Sequence, residues 1–558
     1  MAIFLIVFVS IIKLFLSLNV LILPDEAYYW DWSRHLEFSY YDQGPGVALY
    51  IRAFTSILGD NLISIRIAAL FASSISIFFL YKSAIYLGMS RIQQYLIILM
   101  SHLTPAFFFG SFLMMHDSCL LLFWSIALYH SLVFIREEKP FDLYMIFLML
   151  GLGTLSKHTM IFFAVSLILW LLFHKNRYSI FKSKHLYISI LLSAIVVSPM
   201  IYWNIINDWE SIEAIQYLRS AGNNLITEKK VSTVLLLSSQ FFTLSPTWFM
   251  AFLILPLLYK MRKMKDFSKE DIIKKDLLIF LFINSSVLYI YFFYMSFFKM
   301  TQPNWLFASY LPMSILLIYF LNKEVQTLRL QKIFNYLIYS GFLISLFFIL
   351  GGFLIEAITE KFKISKSAYY SPLGKYGGYR EAIKNIEAFQ KTEYPSSKII
   401  ANRYQDAALA GWYLQGNPFI QSINILQKNQ YSHWTNMEKG KDYIIFHIED
   451  DPCNTNMNLT EFILSNMFTE LKSFPEKLVI KDGRILKKYK YWYGKNYQKT
   501  WYDVWFMNFN KQLFSAYTSG FNLSLSEYEK HHNLFTKVLF SMFSNNNATF
   551  QEFCGEGK

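Results

Sequence analysis

Two carboxylates directly follow the first apolar run of the sequence. Asp25 and Glu26 open an aromatic segment that holds Tyr28, Tyr29 and Trp30. A helix N-cap flanked by interfacial aromatic residues would explain this pattern, because Asp caps helices and Tyr and Trp favour membrane interfaces. The functional hypothesis is that Asp25 and Glu26 are catalytic carboxylates and that the three aromatic side chains bind a substrate.

A third carboxylate lies inside an apolar run. Asp117 and its neighbour His116 occur within PAFFFGSFLMMHDSCLLLFWSIALYH. An ionisable side chain at membrane depth costs several kcal/mol and indicates a functional site by default. A helix cap would explain Asp117, but it would not require His116. We therefore predict that Asp117 is catalytic and that His116 contacts substrate.

Basic and amide side chains mark the ends of other apolar runs. Lys157, Arg66 and Lys299 are candidates for binding a phosphate group, since a lysine at the edge of a cavity suits a phosphate oxygen. The simpler interpretation is that such long side chains snorkel to the membrane surface. Asn304 and Trp305 follow in FFKMTQPNW and are predicted to bind substrate, with a plain interfacial turn as the alternative.

Asp42 lies in the segment YYDQGPG, where Pro45 stands between two glycines. This composition predicts a tight turn, and an Asx-turn would account for Asp42 alone. Asp42 and Asp117 also offer oxygen ligands for a divalent ion such as Mg²⁺, Mn²⁺ or Zn²⁺. A metal site at these two residues is therefore a further expectation.

The composition indicates what positions these residues. The chain has 558 residues, of which 54% are hydrophobic and 19% aromatic, and only 16% are charged. This is the composition of a membrane protein. The net charge of +13 comes from short Lys/Arg clusters between apolar runs, which excludes a DNA- or RNA-binding protein. Three scattered cysteines exclude a disulfide framework and a thiolate metal site.

Eleven apolar runs are long enough, or nearly long enough, to cross the roughly 30 Å of a bilayer core. They lie at about 3–23, 62–81, 92–109, 112–135, 141–156, 158–173, 186–204, 233–258, 277–298, 305–321 and 333–355. The first run lacks a basic segment and a cleavage site, so it is expected to be a retained helix. With a cytoplasmic N-terminus, the inner loops hold more than twice as many Lys and Arg residues as the outer loops, which favours this orientation.

The candidate site residues then fall at the outer ends of different helices. Acids, bases and aromatic residues are expected to meet at one membrane face, with no matching set at the other face. A transporter would need charges near the midplane, which are scarce here. Transfer of a group from a lipid phosphate needs only one face, and this chemistry explains the set best.

The last 200 residues differ in character from the rest of the chain. We predict a transmembrane catalytic domain over 1–357 and a soluble extracytoplasmic α/β domain over 358–558. KIIANRYQDAALAGWYLQGNPFI and DYIIFHI predict strands around a helix that begins near Tyr404. Asp482-Gly483 predicts a hairpin, because Asp-Gly between alternating residues is a strong turn signal. No fold is predicted beyond about residue 495.

Seven segments together resemble the glycosyltransferase family 39-like membrane enzymes, the group with the aminoarabinose lipid A transferase and the protein O-mannosyltransferases. The resemblance covers about residues 24–420 and is carried by LPDEAYYWDWSRHLEFSYYDQGPGVALYIRAFTSILGDNLISIRIAAL, FFFGSFLMMHDSCLLLFWSIALYHSL, GLGTLSKHTMIFF, SPMIYWNIINDWESI, QFFTLSPTWF, QPNWLFASYLP and ANRYQDAALAGWYLQGNP.

The resemblance implies a mostly α, polytopic GT-C fold and a polyprenyl-phosphate-linked sugar donor, with inverting transfer on the extracytoplasmic face. Asp25 matches the family's catalytic aspartate of the first loop, and Glu26 is its motif neighbour. Asp42 matches an acidic residue before a proline in that loop. Asp117 matches the acid at the head of a later span, and Lys157 matches a lysine expected near the donor phosphate.

The predicted function is therefore glycosyl transfer to an envelope acceptor, with lipid A or another lipid preferred, at the periplasmic face of a bacterial inner membrane. A protein O-glycosyltransferase of the same fold is one alternative. A flippase or polymerase of lipid-linked glycans is another and should carry charges deeper in the membrane. A binding or sensor protein would tolerate loss of Asp25 and Asp117.

Overall fold

A computed structural model describes residues 1–174, 177–212, 214, 229–261, 269–298, 301–320, 328–362, 374–425, 428–449 and 458–500. The chain forms two compact units. The first comprises Met1–Val20 and Trp32–Gly351, and the second comprises Leu21–Asp31 and Gly352–Lys558. The short segment Leu21–Asp31 thus packs with residues that are hundreds of positions away in sequence.

The first unit is helical throughout its described residues. In chain order its α-helices are α1 (Ala2–Ser17), α2 (Pro24–Arg34, which begins in the second unit), α3 (Gly46–Leu58), α4 (Leu62–Tyr86), α5 (Arg91–Leu103), α6 (Pro105–Gly110), α7 (His116–Glu137), α8 (Pro140–Ser156), α9 (Ile161–Phe173), α10 (Arg177–Lys182), α11 (Lys184–Ile206), α12 (Lys229–Leu244), α13 (Pro246–Met261), α14 (Lys269–Ser296), α15 (Tyr310–Tyr319) and α16 (Leu328–Phe362). Short 3₁₀ segments at His158–Met160 and Pro303–Ser309 precede α9 and α15.

Five helical stretches among the described residues are long and apolar enough to cross a membrane. They are Leu62–Tyr86, His116–Glu137, Lys184–Ile206, Ile273–Ser296 and Gln331–Thr359. The most apolar part of Lys184–Ile206 is only 22% buried within the protein, and that of Gln331–Thr359 only 18%. Such apolar helix faces need a lipid environment, so a membrane protein is indicated.

The predicted total of eleven spans is not confirmed, because several apolar runs are broken or short. The run at 233–258 contains Ser232–Leu244 and Pro246–Leu255, which meet at an angle of 109°. Proline cannot donate the backbone hydrogen bond that would continue the first helix. The run at 92–109 is likewise divided before Pro105. A further group is apolar but shorter than 18 residues: Ala2–Ser17, Gly46–Leu58, Pro140–Ser156 and His158–Leu172.

Among its described residues, the second unit combines a mixed sheet with four short helices after residue 373. The helices are α17 (Tyr379–Glu393), α18 (Tyr404–Tyr413), α19 (Tyr431–Trp434) and α20 (Asn458–Met467), and a 3₁₀ turn spans Gly374–Tyr376. The strands are β1 (Lys398–Ala401), β2 (Gln421–Ser422), β3 (Tyr443–Glu449), β4 (Phe468–Ser473), β5 (Lys477–Lys481) and β6 (Arg484–Tyr497). Strands around a helix beginning at Tyr404 were predicted from the sequence, and these elements are confirmed.

The sheet order is β2-β1-β3-β6-β4, with β5 also paired to β6. β1 is parallel to both β2 and β3, whereas β6 is antiparallel to its neighbours. The predicted hairpin is confirmed, since Lys481 pairs with Arg484 across Asp482 and Gly483. These two turn residues have φ angles of 52° and 79°, the left-handed values that a tight hairpin requires.

The N-terminal part of α2 belongs to the core of the second unit. Tyr28 is buried, its ring lies 4.5 Å from that of Tyr404, and its hydroxyl accepts a hydrogen bond from the backbone N–H of Gln430 at 2.9 Å. Trp30 is fully buried and packs edge-on against Trp412, with ring centres 4.9 Å apart. These aromatic contacts fix the helix that carries Asp25 and Glu26.

Candidate active site

A buried polar cluster in the first unit centres on Asp117. One carboxylate oxygen (Oδ1) lies 2.6 Å from Nζ of Lys157, and the other accepts a hydrogen bond from Nδ2 of Asn304 at 2.9 Å. Nε2 of His116 lies 3.5 Å from Oδ2 of the same carboxylate. The structure therefore brings together four residues that the sequence analysis singled out at three separate places in the chain.

Local backbone features place these side chains. Asp117 lies in the first turn of α7, where the helix dipole favours a negative charge. Lys157 is the residue at which α8 ends, and its extended backbone separates α8 from the following 3₁₀ turn. Asn304 lies in the 3₁₀ segment Pro303–Ser309. All three side chains thus come from interruptions at helix ends and not from the middle of long helices.

The loop that contains Asp42 packs against the same end of α8. A Cβ atom on Gly44 would lie 2.3 Å from the carbonyl oxygen of Leu155, and one on Gly46 would lie 2.5 Å from Oγ of Ser156. The backbone N–H of His158 donates to Oε1 of Gln43 at 3.4 Å. The predicted tight turn is therefore present, and both glycines are needed for close approach of the two backbones.

An apolar cavity of about 220 Å³ opens onto Asp117 and Asn304. Its wall comes from α4, α6, α7, the 3₁₀ segment before α15, and α15 itself. Representative lining residues are Ile77, Phe107, Leu113, Leu121, Phe307 and Leu311. A cavity with an apolar wall and a few convergent polar groups is the usual form of a small-molecule site.

Two other predicted residues of the first unit, Arg66 and Trp305, have different surroundings. Arg66 is fully buried and donates to the backbone carbonyls of Phe112 and Val20, each at 3.0 Å. These hydrogen bonds connect α4 to the segment after α1 and to the segment before α7, which is a structural role for Arg66. Trp305 packs against Phe292, with ring centres 5.2 Å apart. Lys299 lies outside the described residues.

Asp25 and Glu26 belong to the second unit and have distinct environments. The backbone N–H of Leu23 donates to Oε2 of Glu26 at 3.0 Å, and Glu26 is fully buried. Glu26 thus caps the start of α2, as the simpler interpretation of the motif expected. Burial raises the pKa of Asp25 above its ordinary value, and the nearby charge of Glu26 adds to this effect. A hydrogen bond from the Tyr404 hydroxyl opposes it by stabilising the carboxylate.

The three aromatic residues predicted to bind substrate are all buried in the described structure. Trp30 has 0% exposure, Tyr28 has 3% and Tyr29 has 7%. Tyr28 and Trp30 contact other aromatic residues of the second unit, as described above. Their geometry accounts for them as core residues that hold α2, and their role in substrate binding stays a prediction.

The polar cluster offers a poor set of ligands for a divalent cation. Among the described residues, no group of three or more His, Cys, Asp or Glu side chains is placed to hold a metal ion. The Asp117 carboxylate already contacts the cationic Lys157 and the amide of Asn304. A nearby ammonium group repels a metal cation, so this donor set does not fit one, and the metal expectation at Asp42 and Asp117 gains no support from the geometry.

Sequence reasoning did not include two residues beside the predicted ones, Gln43 and Tyr404. Gln43 directly follows Asp42 in sequence and could have been found by its polarity. Tyr404 could not have been associated with Asp25, because 379 positions separate them and no local pattern connects them. Only the packing of the second unit brings Tyr404 to Asp25.

Comparisons with known proteins bear on this arrangement. Residues 42–203 match a family described as dolichyl-phosphate-mannose-protein mannosyltransferase. The chain is 29% identical over 190 residues to the lipid A galacturonosyltransferase RgtD of Rhizobium johnstonii. That alignment covers 33% of this chain and 38% of the relative's length.

Solved structures of ArnT from Cupriavidus metallidurans share the fold. The structure bound to undecaprenyl phosphate has a TM-score of 0.57 at 13% identity, and the apo structure has 0.55 at 11% identity. In both cases the match covers 87% of this chain and 97% of the other. The predicted resemblance to glycosyltransferase family 39-like membrane enzymes is therefore confirmed, and the fold is that of ArnT.

Proposed function

We propose that this protein is a membrane glycosyltransferase that moves a sugar from a polyprenyl-phosphate carrier to an envelope acceptor. In this proposal the acceptor is a lipid, with lipid A preferred, and transfer takes place with inversion at the periplasmic face of the bacterial inner membrane. The observation that carries it is the buried cluster of Asp117, Lys157 and Asn304 at the mouth of an apolar cavity.

The cluster suits a lipid phosphate for two reasons. The ammonium group of Lys157 has three N–H donors, and among the described residues one hydrogen bond, to Asp117, is formed. The remaining donors can bind phosphate oxygens while Asp117 holds the side chain in place. The apolar cavity beside them offers space for the isoprenoid units nearest the phosphate.

The relatives support the same chemistry. One ArnT structure is described as bound to undecaprenyl phosphate, and RgtD is described as a lipid A galacturonosyltransferase. A carrier of this type and a lipid A acceptor are therefore the first substrates to test. The choice of sugar is left to that experiment, because galacturonic acid is named for the relative and not for this chain.

The proposed reaction is a single displacement at the anomeric carbon. The acceptor hydroxyl oxygen forms a bond to C1 as the bond from C1 to the phosphate oxygen breaks, and the carrier leaves as polyprenyl phosphate. The family resemblance assigns the acceptor's hydroxyl proton to Asp25, and burial raises the pKa of this carboxyl, as general base catalysis favours. Lys157 stabilises the negative charge on the leaving phosphate.

Asp117 has a different role in this scheme. Its carboxylate contacts one cation and one amide donor, so it is well placed to orient Lys157 and poorly placed to remove a proton. Because the donor set does not fit a metal ion, no step depends on one. Of the three catalytic carboxylates predicted from the sequence, this scheme assigns Asp25 as the base and Asp117 as a positioning group, and Glu26 caps the helix that carries Asp25.

The test uses the full-length protein in lipid nanodiscs with a polyprenyl-phosphate sugar and lipid A. Mass spectrometry is expected to detect a glycosylated lipid A, and Asp25→Asn is expected to lower the rate about 10²- to 10⁴-fold. The exposed Glu381→Gln in α17 is the matched control and should retain full activity. Full activity in Asp25→Asn would refute the assignment of the base, and absence of any glycosylated product would refute the proposed function.

A protein acceptor is the second candidate. The family that matches residues 42–203 is described as a protein mannosyltransferase, which is a specific reason to consider it. Envelope proteins and lipids from cells with and without the active chain distinguish the two. A sugar-sized mass lost from proteins, with lipid A unchanged, would favour the protein acceptor. A flippase would give no glycosylated product in the purified system.

A further inference from the structure

The carboxyl ends of the parallel strands in the second unit form a second polar cluster. β1 lies between β2 and β3 in the sheet. The chain therefore passes from β1 to β2 on one side of β1 and later forms β3 on the other side. In parallel sheets, this change of direction opens a crevice at the carboxyl ends of the strands, and ligands bind there. The residues at this edge of the sheet are therefore candidates for ligand binding.

A network of charged and polar side chains occupies the edge. Asp406 is fully buried, accepts from Nη2 of Arg403 at 3.0 Å, and accepts from the backbone N–H of Ile448 at 3.1 Å. Nε2 of His447 lies 3.3 Å from Oε2 of Glu449, and its Nδ1 lies 3.8 Å from Asp406. Arg403 stands against the two carboxylates of Asp406 and Glu449, so these groups do not supply the excess positive charge that a phosphate group would need.

Two side-chain oxygens at the edge have no hydrogen-bond partner among the described residues. They are Oδ1 of Asn402, which directly follows β1, and Oε1 of Gln405 in the first turn of α18. Asn402 is 6% exposed, and its Nδ2 lies 3.3 Å from Nδ1 of His447. An unpaired buried acceptor is unfavourable, because it has lost its hydrogen bonds to water. Both oxygens would be satisfied by a ligand that presents hydrogen-bond donors.

The edge is directly connected to the candidate base. Tyr404 is the first residue of α18 and lies between Arg403 and Gln405 in sequence. Its hydroxyl donates to Asp25, and its ring packs against Tyr28 of the same helix as Asp25. A ligand bound at Asn402 and Gln405 would thus be held one or two residues from the group that contacts Asp25.

We propose that the edge formed by Asn402, Gln405, His447 and Glu449 binds the carbohydrate part of the acceptor through its hydroxyl groups. This inference rests on the proposed function and specifies what the second unit contributes to it. Hydroxyl groups suit the site because they donate to the unpaired oxygens of Asn402 and Gln405 and also accept from side-chain N–H groups. The two carboxylates at this edge, Asp406 and Glu449, favour a neutral polyol over a phosphate.

The experiment measures KM for lipid A and for the polyprenyl-phosphate sugar separately, with the full-length protein in nanodiscs. Asn402→Ala and Gln405→Met are each expected to raise the KM for lipid A about tenfold, the loss expected for about one hydrogen bond. The KM for the donor and kcat should change less than twofold. Gln405→Glu keeps an acceptor oxygen and should restore most of the affinity.

A control variant and the stability of each protein separate binding from folding. Gln421→Ala on β2 removes a side chain that donates to the Asn436 carbonyl at 3.3 Å and carries neither of the two unpaired oxygens, and it should leave both KM values unchanged. Melting temperatures of the binding variants should stay close to that of the unmodified protein.

The outcomes distinguish this inference from the proposed function. Unchanged KM for lipid A in Asn402→Ala and Gln405→Met, while the unmodified protein transfers sugar to lipid A, would overturn the inference alone. An equal rise in KM for donor and acceptor would also overturn it, because it would indicate a general structural effect. If the unmodified protein transfers sugar only to a peptide, or not at all, both proposals are overturned: the lipid acceptor and the binding of its carbohydrate part at this edge.

Discussion

The buried pair of Lys157 and Asp117 can be tested by a double-mutant cycle. The variants are Asp117→Asn, Lys157→Met and the two combined. Nζ and Oδ1 are 2.6 Å apart, and the two side chains are only 5% and 12% exposed. Each single substitution therefore leaves a charged group buried without its ionic partner, whereas the double variant removes both charges.

The burial of both side chains determines the expected loss of stability. Removing one partner of a buried pair destabilises a protein by about 3–5 kcal/mol, whereas replacing both is often close to neutral. The double variant should thus be more stable than either single variant, so the stability losses of the two single substitutions should be far from additive. The exposed pair of Lys139 and Glu137 in the same unit is the control, with side chains 64% and 33% exposed. Its coupling should be only a few tenths of a kcal/mol.

The assay combines unfolding in detergent micelles with the rate of sugar transfer. In both Lys157→Met and the double variant, transfer should fall at least a hundredfold, because the leaving phosphate loses its cation. The double variant should therefore recover stability without recovering activity. Additive stability losses would refute the energetic coupling of the pair. Near-normal transfer by the double variant would refute the role of Lys157 at the phosphate.

Three further predictions concern other features of the structure. Transfer should decline as the pH falls through the raised pKa of Asp25, because the base becomes protonated. In Tyr404→Phe the lost hydrogen bond should raise the pKa of Asp25 further. The acidic limb of the pH–rate profile should therefore move to higher pH. Gly44→Ala should lower the melting temperature and reduce the free energy of unfolding by about 1–3 kcal/mol, since the added methyl group would lie 2.3 Å from the Leu155 carbonyl oxygen. Gly351→Ala is the control, because no atom lies within 4 Å of the methyl group it would add. Treatment with a strong chelator followed by dialysis should leave transfer unchanged, and a loss that Mg²⁺, Mn²⁺ or Zn²⁺ restores would establish the metal expected from the sequence.

Local sequence patterns were sufficient to predict several features of the structure. The hairpin at Asp482-Gly483 and the helix that begins at Tyr404 were predicted because their signals lie within a few residues. The break at Lys157 was visible as a charged residue between two apolar runs. The apolar runs were recognisable, but their continuity was not, because the 109° bend before Pro246 depends on packing as well as on proline.

The site was predictable in part. Asp117, Lys157 and Asn304 were chosen by one criterion, polar residues in apolar surroundings, and both Lys157 and Asn304 contact Asp117. The same criterion chose Arg66, which is bonded to two backbone carbonyls. Residue type reveals that a buried charge needs a partner, but only the fold determines whether that partner is a carbonyl, a carboxylate or a substrate.

The sequence by itself determined the membrane character of the chain, its family resemblance and which polar residues are unusual. These properties follow from composition and from short-range spacing, which need no knowledge of the fold. The tertiary structure decided which of those residues meet. Contacts such as Tyr28 to Gln430, 402 positions apart, arise because burial of aromatic surface draws distant segments together, and no local pattern records the partner.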